Sequence, residues 1–392
     1  MPEATATPLV AVVLPPREGF GPGRTGALGL LARRLVKTPG FRTIIVAGPQ
    51  DGPVFPGIDL LTVAPSRWWL GNTSLRYARA VAHRLRTLRP ALVEVHNRPE
   101  IALSLASRLP GIPVTLILNN DPQEMRESRT PAEREVMLRQ LALVMTSSAY
   151  LRGRLLDGVS NPARDPVVLP NCLDLTELPP PVPRQRVILF AGRVVADKGP
   201  DSFVSACATA LPHLAGWHAV MIGADRFRAN SPDTEFVRVV RAAAEAATIQ
   251  VLGYRDHPDV LAAMGRAAIV VVPSRWAEPF GLVALEAMAS GAALICSPRG
   301  GLPEVAGDTA LYADPDEPGA LARAIRALAG DVPRRTALAA AGLARARLFD
   351  APVIAAQLAA LRREILGPDP AMTIRGTVGM MVSGHEIRGH GG

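Results

Sequence analysis

Lysine is almost missing from this chain. Of its 43 basic residues only Lys37 and Lys198 are lysine, and the other 41 are arginine. An arginine bias of that kind follows a GC-rich coding background, so the net charge of +8 does not by itself point to nucleic acid. Cysteine is also scarce. Cys172, Cys207 and Cys296 lie far apart with no C-x-x-C pair, which argues against a disulfide framework and a zinc site and suits a reducing, cytoplasmic setting. No window approaches 18 uninterrupted apolar residues, so no membrane-spanning helix is expected. The first apolar run has no basic leader and is too short for a signal peptide. Aromatic residues at 4% and charged residues at 20%, with mean hydropathy +0.18, describe an ordinary soluble globular protein.

What is present is length and alternation. A chain of 392 residues has room for two domains of about 150–200 residues each. Near-continuous apolar runs at 9–15, 42–48, 91–96, 113–118 and 142–148 read as strands covered on both faces. Helical stretches such as ALGLLARRLVK, SLRYARAVAHRLRTLR and PEIALSLASRL separate them. A proline cluster in 170–184, PNCLDLTELPPPVPR, marks an interdomain linker. The strand pattern then resumes at 186–192, 218–223, 248–253, 267–274 and 292–297. The expected fold is α/β: two doubly wound domains, 1–175 and 185–350, joined by this Pro-rich hinge. A last amphipathic helix, 351–366, with apolar residues at 353, 354, 358, 361 and 365, packs on one domain or bridges both. The segment 367–392 reads as a flexible tail whose His385 and His390 are scattered rather than metal ligands. Residues 1–180 carry 21 basic and 15 acidic side chains, an excess that reads as the solvated surface of a high-pI protein or as suited to an anionic membrane surface or an anionic acceptor.

Three motifs carry possible chemistry. Gly21-Pro22-Gly23-Arg24-Thr25-Gly26 is a literal G-x-G-x-x-G, but Pro15 to Phe20 separate it from the strand. The acid that a dinucleotide site needs about 20 residues later is also missing. Phosphate cradling, plain turn geometry and dinucleotide binding all remain open for it. The second motif, EPFGLVALE from Glu278 to Glu286, follows the buried strand AAIVVVPS at the sheet edge where open α/β folds bind ligands. Gly281 opens a helix there, and either carboxylate can accept two hydrogen bonds from a vicinal diol. The third is Gly192-Arg193 with Lys198-Gly199-Pro200, two cations on a strand-to-helix loop suited to a diphosphate.

The stretch from 186 to about 315 resembles the nucleotide-sugar domain of the retaining glycosyltransferases of family four. The resemblance lies in AGRVVADKG, in VLGYRDHPDVLAAMGRAAIVVVPSRWAEPFGLVALEAMASGAALICSPRGGLPEVAGD and in ALYADP, which follow the family's order and spacing. It implies the B-type glycosyltransferase architecture, two doubly wound Rossmann-like domains facing across a cleft, and a reaction that moves a hexose-type sugar from a UDP- or GDP-sugar to an acceptor hydroxyl. By the same resemblance Arg193 and Lys198 hold the donor diphosphate, Glu278 holds the donor sugar near the Phe280 and Gly281 backbone, and Glu286 binds ribose. Gly253, Tyr254 and Arg255 should line the base pocket. No cofactor or metal is implied, since the cations stand in for one.

The N-terminal half resembles the family only loosely. Where many members carry a histidine before an acid, this chain reads Asn119-Asn120-Asp121-Pro122. His96, Asn120, Asp121 and the Gly21–Gly26 loop with Arg24 are the candidates for the acceptor side, and His96 reads equally well as a core-edge histidine. Expected partners are a nucleotide sugar and a glycan or lipid-linked acceptor, without nucleic acid. The setting fits envelope glycan synthesis at the inner face of the cytoplasmic membrane. A nucleotide-sugar epimerase of the same fold, a dinucleotide-dependent oxidoreductase and a non-catalytic sugar-nucleotide binder are the alternatives.

Overall fold

The computed structural model describes residues 7–65, 70–226 and 230–367, so the C-terminal segment with His385 and His390 lies outside the described residues. Seven parallel strands form the first sheet: β1 (Leu9–Val13), β2 (Arg42–Ala47), β3 (Leu60–Thr62), β4 (Leu92–His96), β5 (Val114–Leu118), β6 (Leu143–Thr146) and β7 (Val167–Val168). Their order is β3-β2-β1-β4-β5-β6-β7. Six parallel strands form the second: β8 (Gln185–Ala191), β9 (His218–Ile222), β10 (Gln250–Gly253), β11 (Ala267–Val272), β12 (Ala293–Cys296) and β13 (Ala310–Tyr312), in the order β10-β9-β8-β11-β12-β13. Both are doubly wound sheets of Rossmann type. The order in which successive strands are added reverses between β1 and β4 in the first and between β8 and β11 in the second, where such folds bind ligands.

The apolar runs explain the central strands. Every residue of β4, β5 and β11 is buried, and the last two are rich in Val, Ile and Leu. Edge strands β3, β7 and β13 span only two or three residues and carry no alternation, which is why the pattern missed them. The charged stretch around Glu127 and Glu135 contributes the helix Pro131–Gln140, which opens with a Thr130–Glu133 capping box. All three cysteines are buried free thiols, and burial pushes Cys172 and Cys296 up to about 12. Among the described residues no helix is long and apolar enough to cross a membrane.

The chain crosses between the domains twice. Residues 171–173 are packed rather than loose: Arg34 donates to the Cys172 carbonyl at 3.0 Å, and Leu173 pairs with Asp350 as an isolated bridge. Arg33 and Arg34 then grip Glu177 at 2.5 and 3.0 Å. After Asp350 the helix Ala351–Leu366 returns to the first domain, where Ile354 and Leu358 pack with Leu31, Leu35, Ile117 and Met145. Its buried face differs from the expected one. Val353 is exposed, while Ala351, Ala355, Ala359 and Arg362 join Ile354 and Leu358 inside. Small alanines allow that close approach, and the charge on Arg362 is met by buried Glu94 at 3.0 Å.

Candidate active site

The loops leaving β8 and β11 meet at the turning point of the second sheet. Gly199 has φ +66, and a side chain there would come within 2.1 Å of the Pro273 carbonyl oxygen, so glycine lets the two loops touch. That contact brings Lys198 to Glu278: Nζ lies 2.5 Å from Oε1. Ser274 Oγ donates to the same oxygen at 2.6 Å, and Lys198 sits 4.9 Å from the centre of the Trp276 ring. Separate ligands were expected for diphosphate and sugar; the structure couples the two residues in one ion pair. Ser274 and Trp276 were missed, although both stand in the quoted PSRWAEPFG. Arg193 lies partly exposed in the same β8 loop.

The Glu278 loop is backed from below. Gly300 has φ +61, and a Cβ there would lie 2.3 Å from the Glu278 carbonyl oxygen. The Gly301 N–H donates to that oxygen at 2.7 Å. Phe280 is buried edge-on against Phe349, with ring centres 5.7 Å apart. Gly281, at φ +105, caps the helix Leu282–Ala289 and packs on Leu302.

Glu286, on that helix, already has a partner. His257 Nε2 lies 2.7 Å from its Oε1, and this bond raises the histidine's pKa above 6.5 against the opposing effect of burial. Arg34 and Glu177 also face the pair, the first lowering and the second raising it. Such a histidine stabilises the fold fully below its unfolded pKa and loses that contribution as pH rises through the folded value. NMR titration should find His257 above the ordinary range, and Glu286→Ala should bring it back down. A His257 pKa unmoved by that substitution would remove Glu286 as the cause.

Gly253, with φ +66, accepts the Gly223 N–H at 2.9 Å, and Tyr254 Oη donates to Asp256 at 3.0 Å. Gly253 and Tyr254 line a cavity of about 210 Å³ with Gly223, Ser231 and Asp233. Arg255 is exposed and bonds the Tyr254 carbonyl.

On the first domain, the Gly-rich loop serves packing. A Cβ on Gly21 would lie 2.0 Å from the Pro53 carbonyl oxygen, and one on Gly26 would lie 2.8 Å from Glu18 Oε1. Gly23 takes φ +69 in open space, and Arg24 donates to the Asp51 carbonyl. The phosphate expectation meets an obstacle at the mouth of the helix Ala27–Leu35. Glu18 Oε1 already accepts the Gly29 N–H there at 3.1 Å. Burial raises the Glu18 pKa, and the helix amides and nearby Arg98 and His96 offset part of that rise. A carboxylate at this mouth opposes a second anion.

His96 is buried 3.7 Å from Glu94, and neither ring nitrogen has a hydrogen-bond partner among the described residues. The Asn119 side-chain amide is likewise buried and unpartnered among them. Asn97, which the sequence reading passed over, takes φ +55 and accepts the N–H groups of Asn119 and Asn120 at 3.0 and 3.1 Å. Asp121 is engaged structurally, capping Gln123 and pairing with Arg154 at 2.8 Å. Asn120 and Asp121 line a cavity of about 360 Å³ with Arg98, Glu100 and Met125. The chain also holds an Asp-x-Asp sequence, Asp314-Pro315-Asp316. Arg299 engages both carboxylates at 2.7 Å, and Arg275 reaches Asp316 at 2.9 Å.

Residues 179–345 match the family model described as glycosyl transferases group 1. A glycogen synthase of Mycobacterium tuberculosis is 27% identical over 319 residues, covering 72% of this chain and 74% of the relative. A D-inositol 3-phosphate glycosyltransferase of Corynebacterium aurimucosum is 33% identical over 177 residues, covering 44% and 42%. A lipopolysaccharide core biosynthesis mannosyltransferase of Rhizobium meliloti is 33% identical over 172 residues, 42% of this chain and 47% of that one. Among solved structures, sucrose-phosphate synthase from Thermosynechococcus elongatus superposes with TM-score 0.73 at 20% identity over 91% of this chain and 99% of that one. Anabaena HepE, solved with UDP and glucose, gives 0.69 at 18% identity over 90% and 98%. The fold is therefore the B-type glycosyltransferase fold, and the stretch that matches the family model contains Lys198, Glu278 and Glu286.

Proposed function

We propose that the protein is a glycosyltransferase that moves a hexose-type sugar from a nucleoside diphosphate sugar to an acceptor hydroxyl with retention of anomeric configuration. The observation that carries the reading is the Ser274–Glu278–Lys198 cluster at the turning point of the second sheet. Cleaving the sugar–phosphate bond builds negative charge on the leaving diphosphate. Lys198, Arg193 and the helix mouth behind Gly281 supply positive potential for it. Glu278 accepts sugar hydroxyls, and Glu286 accepts the ribose diol while His257 steadies one of its oxygens. The leaving phosphate oxygen takes the acceptor's proton on the face it departs from, so no side-chain base is required. Closure of the cleft excludes water and limits donor hydrolysis. An envelope glycan or lipid-linked acceptor at a membrane surface is supported by the basic N-terminal half and by the likeness to the lipopolysaccharide core mannosyltransferase of Rhizobium meliloti.

Thermal unfolding against UDP, GDP, their hexose conjugates, NAD and NADP tests this. At 100 times its dissociation constant a ligand adds about 2.7 kcal/mol, worth roughly 5–10 °C for a single domain of about 150–250 residues. One nucleoside diphosphate and its sugar should raise the midpoint, and Glu286→Ala should reduce that rise. A response to dinucleotides alone would overturn the reading in favour of an oxidoreductase. Donor bound but never consumed with any acceptor would leave a binding protein.

A further inference from the structure

The helix Ala149–Leu156, which follows β6, begins with three backbone N–H groups that its own turns cannot satisfy. Ser148 Oγ accepts one of them, from Leu151, at 3.1 Å. The other two are taken by the opposite domain. Ala149 and Tyr150 donate to Glu304 Oε2 and Oε1, each at 2.6 Å. Both carboxylate oxygens thus sit on the positive end of a helix that belongs to the other sheet. Ser148 also crosses the cleft, donating its hydroxyl proton to the Pro279 carbonyl at 2.5 Å.

These contacts converge on one loop. Pro279 directly follows Glu278, and Gly301, at the start of the helix carrying Glu304, donates to the Glu278 carbonyl at 2.7 Å. Arg345 ties that short helix to its own domain through the Glu304 and Val305 carbonyls, at 2.6 Å each. Glu304 is therefore a rigid arm on the donor domain, and the helix mouth behind Ser148 is its seat. We infer that Glu304 and Ser148 are positioning residues that fix the Glu278 loop against the N-terminal domain. The sugar-holding carboxylate then reaches its working geometry only when the cleft is closed. This rests on the reading of Glu278 as the sugar ligand.

The test compares wild type with Glu304→Gln, Ser148→Ala and Ser148→Thr in the full chain. Glu304→Gln keeps the shape but loses the charge and one acceptor. Nucleoside diphosphate affinity should stay within about twofold while kcat falls roughly 10–100-fold, the scale of a displaced reacting group. The hydrolysed share of the donor should rise, and small-angle scattering should give a larger radius of gyration. Ser148→Ala should behave alike, and Ser148→Thr, which retains the hydroxyl, should recover. If Glu304→Gln matches wild type in kcat and in compactness, the positioning role is overturned while the transferase reading stands. If kcat falls with no change in compactness or hydrolysed share, a local folding defect replaces it. A wild type that binds no nucleoside diphosphate overturns the transferase reading and this inference together, whatever the scattering shows.

Discussion

Glu278→Ala should reduce sugar transfer by about two to three orders of magnitude, the scale seen when a preorganised group at a reacting centre is removed. Its thermal midpoint should stay near that of wild type. The side chain of Lys198 is 21% exposed against 11% for Glu278, so water can solvate the ammonium once its partner is gone. Lys198→Ala leaves the less exposed partner behind, a carboxylate to which Ser274 still donates. Transfer should fall comparably, and the double variant should be scarcely worse than either single one, because the two groups act as a unit. Steady-state rates with the donor found by the unfolding screen decide the matter. Wild-type rates in either folded variant would remove this pair from the reacting centre.

The largest stability effect should come from a residue remote from that pair. Arg362→Ala is expected to cost about 3–5 kcal/mol, roughly 10 °C in midpoint, because it strands a buried charge. Side-chain exposures are 1% for Arg362 and 2% for Glu94, and Arg362 bonds both carboxylate oxygens at 3.0 and 3.2 Å. Burial pushes the Glu94 carboxyl up, but Arg362 and His96 more than offset it and bring it down to about 2. A depressed carboxyl stabilises the fold above its ordinary 4.5 and loses that contribution as pH falls toward about 2. Wild type should therefore weaken across that acid window. Arg362→Ala should already be weak at neutral pH, whereas replacing both partners by apolar residues should recover much of the loss. Denaturant melts at pH 7 and pH 3 separate these cases, and an Arg362→Ala chain as stable as wild type would mean the pair contributes nothing net.

The central strands were legible because burial on both faces leaves near-continuous Val, Ile and Leu runs. Edge strands such as Ala310–Tyr312 were not, since three residues leave no period to detect. At the candidate site, the Glu278 and Lys198 segments could be singled out by where they fall after strands, but their pairing could not. It depends on Gly199 letting two loops touch that are 80 residues apart along the chain. His257 and Glu304 were invisible as actors for different reasons. The first stands 29 residues from Glu286 with no motif of its own. The second recognises only backbone amides, so Ala149 and Tyr150 give no compositional sign of the contact. At the helix mouth at Ala27 the sequence left several roles open because it shows neither the close chain packing of the glycines nor Glu18, which accepts the Gly29 amide there.

The return of the helix Ala351–Leu366 to the first domain has a consequence for biosynthesis. The ribosome makes the first sheet early, yet the residues that cover Leu31, Ile117 and Met145 and neutralise Glu94 are made after the whole second domain. At about 5–20 residues per second, the nascent N-terminal half waits on the order of ten seconds or more for them. During that interval it carries an open apolar seam and an uncompensated acid, which makes it a natural client for a chaperone. The domain translated first is thus the one finished last, and a ribosome that stalls beyond the second sheet leaves both domains written but only one closed.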